Sequence, residues 1–466
     1  MSGLLWKSAV ELRDMVRARE VSPVEVMQAT LDRLDATEGK LNAFVDLHAD
    51  AAMAAARRAE QEVVAGRATG PLHGLPISVK DLIAVRDMRL TFGSRAMKDN
   101  VASVDAPAVA RARAAGAIVV GKTTTSEFGC KGVGDSPLTG ITRNPWNLRK
   151  TPGGSSCGAA ASIAAGVTPF GFGTDGGGSI RLPSSMCGLF GIKGHFGRIP
   201  VFPPSATPTL AHVGPMARTV RDAALLMEVA SGFDPRDAGA VSEPVPDLMA
   251  ACERSPRGLR VAWSPTLGYA RPDTQVLDLV RRGVRLIEEL GCEVEEVEHV
   301  FDDPLKLFMA EFFAGAGTRL RPVLEGSREL LDPAVATTLD AALAQTMGEY
   351  YQSVFQRYDL RTRVTSFFER YDLLVTPTIP VLPFDVGLNV PPGYELDDNM
   401  FTWIAYTYPF NLTGLPAASI PCGFSRDGLP VGLQIVGRQL GEPLIFSLSA
   451  AFEAARPWAG RTPPLA

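Results

Sequence analysis

Two serine clusters and one lysine are the residues of this chain best suited to covalent chemistry. Ser155-Ser156 and Ser179 flank a small-residue segment that ends in Gly176-Gly177-Gly178, and Lys80 closes the apolar run Leu75-Pro76-Ile77-Ser78-Val79. The stretch from Thr151 to Arg181 holds no histidine. Serine is a weak nucleophile at neutral pH and needs a base beside it. Lysine can be that base when burial disfavours its charged form. Consecutive glycines let neighbouring N–H groups point into one small space, as an oxyanion hole requires. These parts suffice for acyl transfer without histidine. Taken alone, Lys80 is more simply a structural partner of Asp81. The glycine run, followed at once by the ordered segment Ile180-Arg181-Leu182-Pro183, favours the chemical role.

The elements that must hold these residues follow from local signals. Ser8 with Glu11, and Ser22 with Glu25, fit capping boxes, the second with Pro23 at the first helical position. They predict helices over 8–19 and 23–37. A turn and a short buried strand are expected from Pro71 to Asp81. A helix should start at Asp105, ahead of Pro107, and end near Gly116, followed by a strand over 117–120. Residues 157–165 should form a tightly packed helix after the Gly-Gly-Ser-Ser turn. Helices are expected near 273–290, 304–320, 335–346 and 348–369, strands near 373–376, 418–420 and 431–436, and a last helix near 442–454. The alternation indicates an α/β protein. The late strands suggest a return to the first sheet, so residues 1–466 are read as one domain with a mainly helical excursion at about 235–370.

The chain has 466 residues, 46% apolar and 21% charged, with a net charge of −5 and no basic run. That is an ordinary globular balance and argues against nucleic acid or an anionic membrane as partner. Six scattered cysteines without a C-x-x-C pair read as reduced thiols in a cytoplasmic protein. The N-terminus is charged too early for a signal peptide, and the weakly polar stretch 157–173 is too short and interrupted to span a bilayer. No cluster with metal-ligand spacing is evident.

Three further motifs compete for attention. Gly116-Ala-Ile-Val-Val-Gly121-Lys122-Thr123 matches the P-loop letter for letter, but its β-branched middle belongs in a strand. Gly171 to Gly176 matches a dinucleotide fingerprint, yet glycines and Pro183 follow where a helix must start. Gly154-Ser155-Ser156-Cys157-Gly158 matches a nucleophile elbow. It would make Ser156 the nucleophile of a Ser–His hydrolase, with His195 or His212 as base. Cys157 reads as a small packed residue rather than a thiol nucleophile.

The chain resembles the amidase signature hydrolases. The resemblance rests on Gly153-Gly154-Ser155-Ser156-Cys157 and on Gly173-Thr174-Asp175-Gly176-Gly177-Gly178-Ser179-Ile180-Arg181-Leu182-Pro183, with the two key serines 24 positions apart. Gly74 to Asp81, Pro145-Trp146-Asn147, Gly414-Leu-Pro-Ala and Gly428 to Gly437 extend it over nearly the whole chain. It implies a large mixed, twisted sheet covered by helices on both faces. It also implies a Ser–cis-Ser–Lys triad, with Ser179 as nucleophile, Ser155 as bridge after a cis peptide, and Lys80 as base. The amides of Gly176, Gly177, Gly178 and Ser179 would form the oxyanion hole. Cys157 and Gly176 depart from the usual residues at their positions. The implied activity is amide hydrolysis of a small molecule without metal or organic cofactor. The alternative is the glutaminase subunit of a tRNA-dependent amidotransferase. The loop around Cys130, Lys131 and Asp135, with the helices at 300–350, is expected to shape the substrate pocket. Aryl, aliphatic and carbamoyl amides, and a homo-oligomeric state, are all open at this stage.

Overall fold

The computed structural model describes residues 3–67, 70–395, 397 and 399–465. Both expected capping boxes form: Ser8 caps the helix Ala9–Arg17 and Ser22 caps Pro23–Leu41. Thr346 with Glu349 makes a third, at the start of Met347–Arg370. The helix expected from Asp105 spans Pro107–Ala114, with Ala106 as its cap. Asp105 is diverted, because its carboxylate accepts from Arg113 and from the Arg86 amide.

Thirteen strands are described: β1 (Phe44–Leu47), β2 (Pro76–Lys80), β3 (Ile118–Thr123), β4 (Asp135–Ser136), β5 (Gly140–Ile141), β6 (Phe170–Asp175), β7 (Phe190–Lys193), β8 (His212–Ala217), β9 (Arg260–Trp263), β10 (Glu293–Glu296), β11 (Leu373–Pro377), β12 (Ala417–Phe424) and β13 (Pro430–Gly437). Eleven form one sheet in the order β1-β3-β2-β6-β8-β7-β12-β13-β11-β9-β10, while β4 and β5 pair separately. The sheet is mixed. β3, β2 and β6 run parallel, as do β11, β9 and β10; antiparallel pairs join the rest. The P-loop look-alike lies inside β3, as its β-branched residues require.

Helices cover both faces, and the period of two along the strands shows it. Leu373 and Val375 of β11 join the core beneath Val220–Ala230, Thr274–Glu289 and Glu442–Ala455. Leu374 between them joins the other core, with Leu305–Gly326, Pro333–Leu343 and Met347–Arg370. Within the 235–370 excursion, β9 and β10 return to the sheet and extend its edge, so that segment is not wholly helical. Each is four residues long, and β10 reads Glu-Val-Glu-Glu with little burial, so no apolar pattern announced it. Among the described residues, no helix is long and apolar enough to cross a membrane.

Candidate active site

The parallel run of β2 and β6 decides where the chemistry-bearing residues meet. Their register pairs Ile77 with Phe170 and Val79 with Phe172, so both strands end at the same edge of the sheet. Ligand crevices in parallel sheets open at such carboxyl ends. Lys80 closes β2, and Thr174-Asp175 closes β6 and leads into the glycine run. Between them comes the turn through Ser155, which starts the helix Cys157–Ala164. The Gly154–Ser155 peptide is cis.

Lys80 is fully buried, with Nζ 2.7 Å from Ser155 Oγ and 2.8 Å from Thr174 Oγ1. Burial pushes its pKa down to about 7, against a smaller upward pull from Cys157 and Asp175. A lysine at that value switches between donating to both hydroxyls and accepting a proton from one. Ser155 and the half-buried Ser179 both line one cavity of about 310 Å³, together with Thr174 and Gly176.

A buried ion pair fixes the glycine turn. Asp175 Oδ1 accepts from the Gly178 amide at 2.8 Å and Oδ2 from the Ile180 amide at 3.2 Å. Arg181 donates to both oxygens at 2.9 Å. The remaining donors of Arg181 reach Thr407 O, Gln434 Oε1 and Asn411 Oδ1. Burial opposes ionisation of Asp175, but the Arg181 guanidinium outweighs it and holds the carboxyl well below the usual carboxylate range. Gly178 sits at φ +135°, where a Cβ would collide with Leu182 and Thr407, so only glycine fits there. The Gly178 N–H, one of the four amides expected at an oxyanion hole, is directed to Asp175.

The amidase family model matches residues 25–446. The chain belongs to the amidase signature family. It is 35% identical to an acylamidase of Rhodococcus erythropolis, over 99% of this chain and 98% of that one. It is equally similar, at 35%, to a glutamyl-tRNA(Gln) amidotransferase subunit of Roseiflexus castenholzii, over 99% and 98%. Among solved structures, a bacterial aryl acylamidase of the amidase signature family superposes with a TM-score of 0.92 at 31% identity, covering 98% and 97%. The chain is thus an amide C–N hydrolase on the amidase signature fold.

In this amidase the other sequence candidates fall on both sides of the cavity wall. Cys130 lines it, with Phe128 and Gly129 from the same loop. Burial, with Glu127 adding to it, pushes the Cys130 thiol up to about 12, so it contributes shape rather than reactivity. Lys131 and Asp135 do not reach the cavity. Lys131 Nζ turns away to Asp135 and Asp332, each at 2.6 Å, because a buried ammonium needs carboxylates more than an apolar wall. The Ser–His alternative is not assembled. Ser156 Oγ exchanges hydrogen bonds with the backbone of Thr174. His212 lines the cavity, but its Nδ1–H donates to Leu210 O and its Nε2 lies 3.4 Å from Lys193 Nζ. Burial, then Lys193, pushes His212 well below the usual histidine range. The same two causes bring His195 down to about 4. Cys157 is a buried helix-start residue whose thiol donates to Thr124 O.

Two features had no part in the sequence reading of the site. Thr174 is the second hydroxyl on Lys80, and it stood inside the Gly-Thr-Asp motif without an assigned role. The segment from Pro200 to Thr207 forms a wall of the cavity and includes a cis Phe202–Pro203 bond. Its run of prolines was the only available signal.

Proposed function

We propose that the chain hydrolyses carboxylic amides through a serine acyl-enzyme, with Ser179 as nucleophile, Ser155 as proton relay and Lys80 as base. The observation that carries this reading is Lys80: buried, lowered to about 7, and 2.7 Å from Ser155 in a cavity that Ser179 shares. Neutral Lys80 takes the proton of Ser155, and Ser155 takes that of Ser179. Ser179 Oγ then bonds to the amide carbon. The carbonyl oxygen becomes an oxyanion, met by the amides of Gly176, Gly177 and Ser179. The proton on Lys80 returns through Ser155 to the nitrogen as the C–N bond breaks, and the amine leaves an ester on Ser179. Water uses the same relay to cleave that ester, releasing acid and restoring the serine. Thr174 holds the Lys80 amine in line with Ser155.

The cavity is walled by Phe92, Phe128, Phe202, Phe312, Leu320 and Val323, which supports an aryl or alkyl arm on the amide. No Asp or Glu lines it among the described residues, so nothing meets the α-ammonium of glutamine. This favours a free amidase over a glutaminase subunit. Six free cysteines support a reducing, cytoplasmic setting.

A fluorophosphonate should label Ser179 alone. Ser179→Ala should lose both the label and roughly 10³-fold or more in turnover, with an unchanged melting temperature. Peptide mapping that places the label on Ser156 or Cys157 would overturn the assignment.

A further inference from the structure

The cavity carries one full charge. Among its described lining residues, Arg319 is the only acid or strong base; the remaining polar groups are hydroxyls, backbone and the neutral ring of His212. Arg319 lies on the helix Leu305–Gly326, on the face that Phe312, Ala316, Leu320 and Val323 turn to the cavity. The positions 312, 316, 319, 320 and 323 follow the helical repeat, so Arg319 stands beside that apolar stripe, with its side chain exposed at the cavity rim.

Arg319 makes no hydrogen bond or ion pair among the described residues. Arg321 and Arg361 of the same segment share that lack of a partner, but neither lines the cavity, and other arginines there are paired. Arg357 is held by Glu311, Arg328 by Asp340 and Arg363 by Asp302. An exposed guanidinium at the rim of an apolar cavity, with five donors and no acceptor, is arranged to receive an anion from the substrate.

The helix also sets the distance. Phe312 packs against Gly176, where a Cβ would lie 2.9 Å from its ring. Arg319 follows seven residues later, about 10 Å along the axis. We propose that Arg319 forms an anion subsite of this cavity, and that the preferred substrates are amides whose apolar arm ends in a carboxylate about 10 Å from the scissile carbonyl. The inference rests on the serine-amidase reading of the same cavity. The apolar walls desolvate the spacer, Ser179 and the glycine turn take the amide, and Arg319 takes the far end. Because the guanidinium faces water, its effect should weaken with salt.

The test uses matched 4-nitroanilides of straight-chain monoacids and of α,ω-diacids with one free carboxylate, at several chain lengths. Wild-type enzyme should prefer the diacid anilide roughly three- to tenfold in kcat/KM, through KM, at spacers of about six to eight methylenes. Arg319→Ala should lose that preference and leave the monoacid anilide within about twofold. Arg319→Lys should keep part of it. Raising ionic strength should shrink it. Equal effects of Arg319→Ala on both series, or a wild-type preference for the monoacid anilide, would overturn the subsite. Failure of the underlying reading looks different: monoacid anilides would be inert, or their turnover would survive Ser179→Ala.

Discussion

Lys80 and Lys131 are both buried, 0% and 3% exposed, yet the fold drives their charges in opposite directions. Lys80 faces two hydroxyls and no carboxylate at contact distance, so burial prevails and its pKa falls to about 7. At Lys131 burial acts in the same sense, but Asp135 and Asp332 outweigh it and raise the pKa. Burial alone therefore does not make a base; burial without a countercharge does. Asp81 sharpens the point. It adjoins Lys80 in sequence, but successive strand residues point to opposite faces. It pairs instead with Lys122 of β3, at 3.2 Å, leaving Lys80 free of an acid.

The largest expected difference between the two lysines is in rate. Lys80→Ala should cost roughly 10²–10⁴-fold in acylation, and Lys80→Arg should not restore it, because a guanidinium stays protonated. Full activity in the arginine variant would remove Lys80 from proton transfer. A smaller but more diagnostic effect is the acid limb of the pH profile. The shift is downward from an ordinary value near 10.5, so Lys80 is neutral above about 7 and protonated below it. Acylation should hold level above that pH and fall about tenfold per unit beneath it. A limb near 10 would show that Lys80 keeps its charge. The smallest effect on rate belongs to Lys131→Met. Acylation per folded molecule should stay within about threefold, while stability falls by about 2–4 kcal/mol as Asp332 and Asp135 lose their cation; Asp135 reaches solvent, which limits the loss. Calorimetry beside a rate assay separates the two. A large rate loss at unchanged melting temperature would place Lys131 in the site after all.

Much of this molecule was legible in its sequence because the signals are local. Capping boxes start the first two helices where Ser8 and Ser22 stand. The β-branched run at 118–120 argued strand over phosphate loop, and β3 holds it. The motifs around Ser155 and Ser179 singled out two serines that line one cavity, and Lys80 lies behind them, bonded to Ser155. Weak local patterns were not legible. β10 has three glutamates in four residues, and sheet pairing alone makes it a strand.

Sequence alone determined which chemical groups exist and which backbone is free to bend: serines, a lysine, and a glycine run that tolerates φ of +135°. Only the tertiary structure decided which partners those groups take. Asp175 reaches across the turn to the Gly178 amide and to Arg181, engaging one N–H of the glycine run. Thr174 arrives on Lys80 from another strand, and Asp81 leaves it for Lys122. Such choices depend on distances between residues far apart in the chain and on how little water reaches them. Desolvation and charge pairing act through space, and neither is written in the order of the residues.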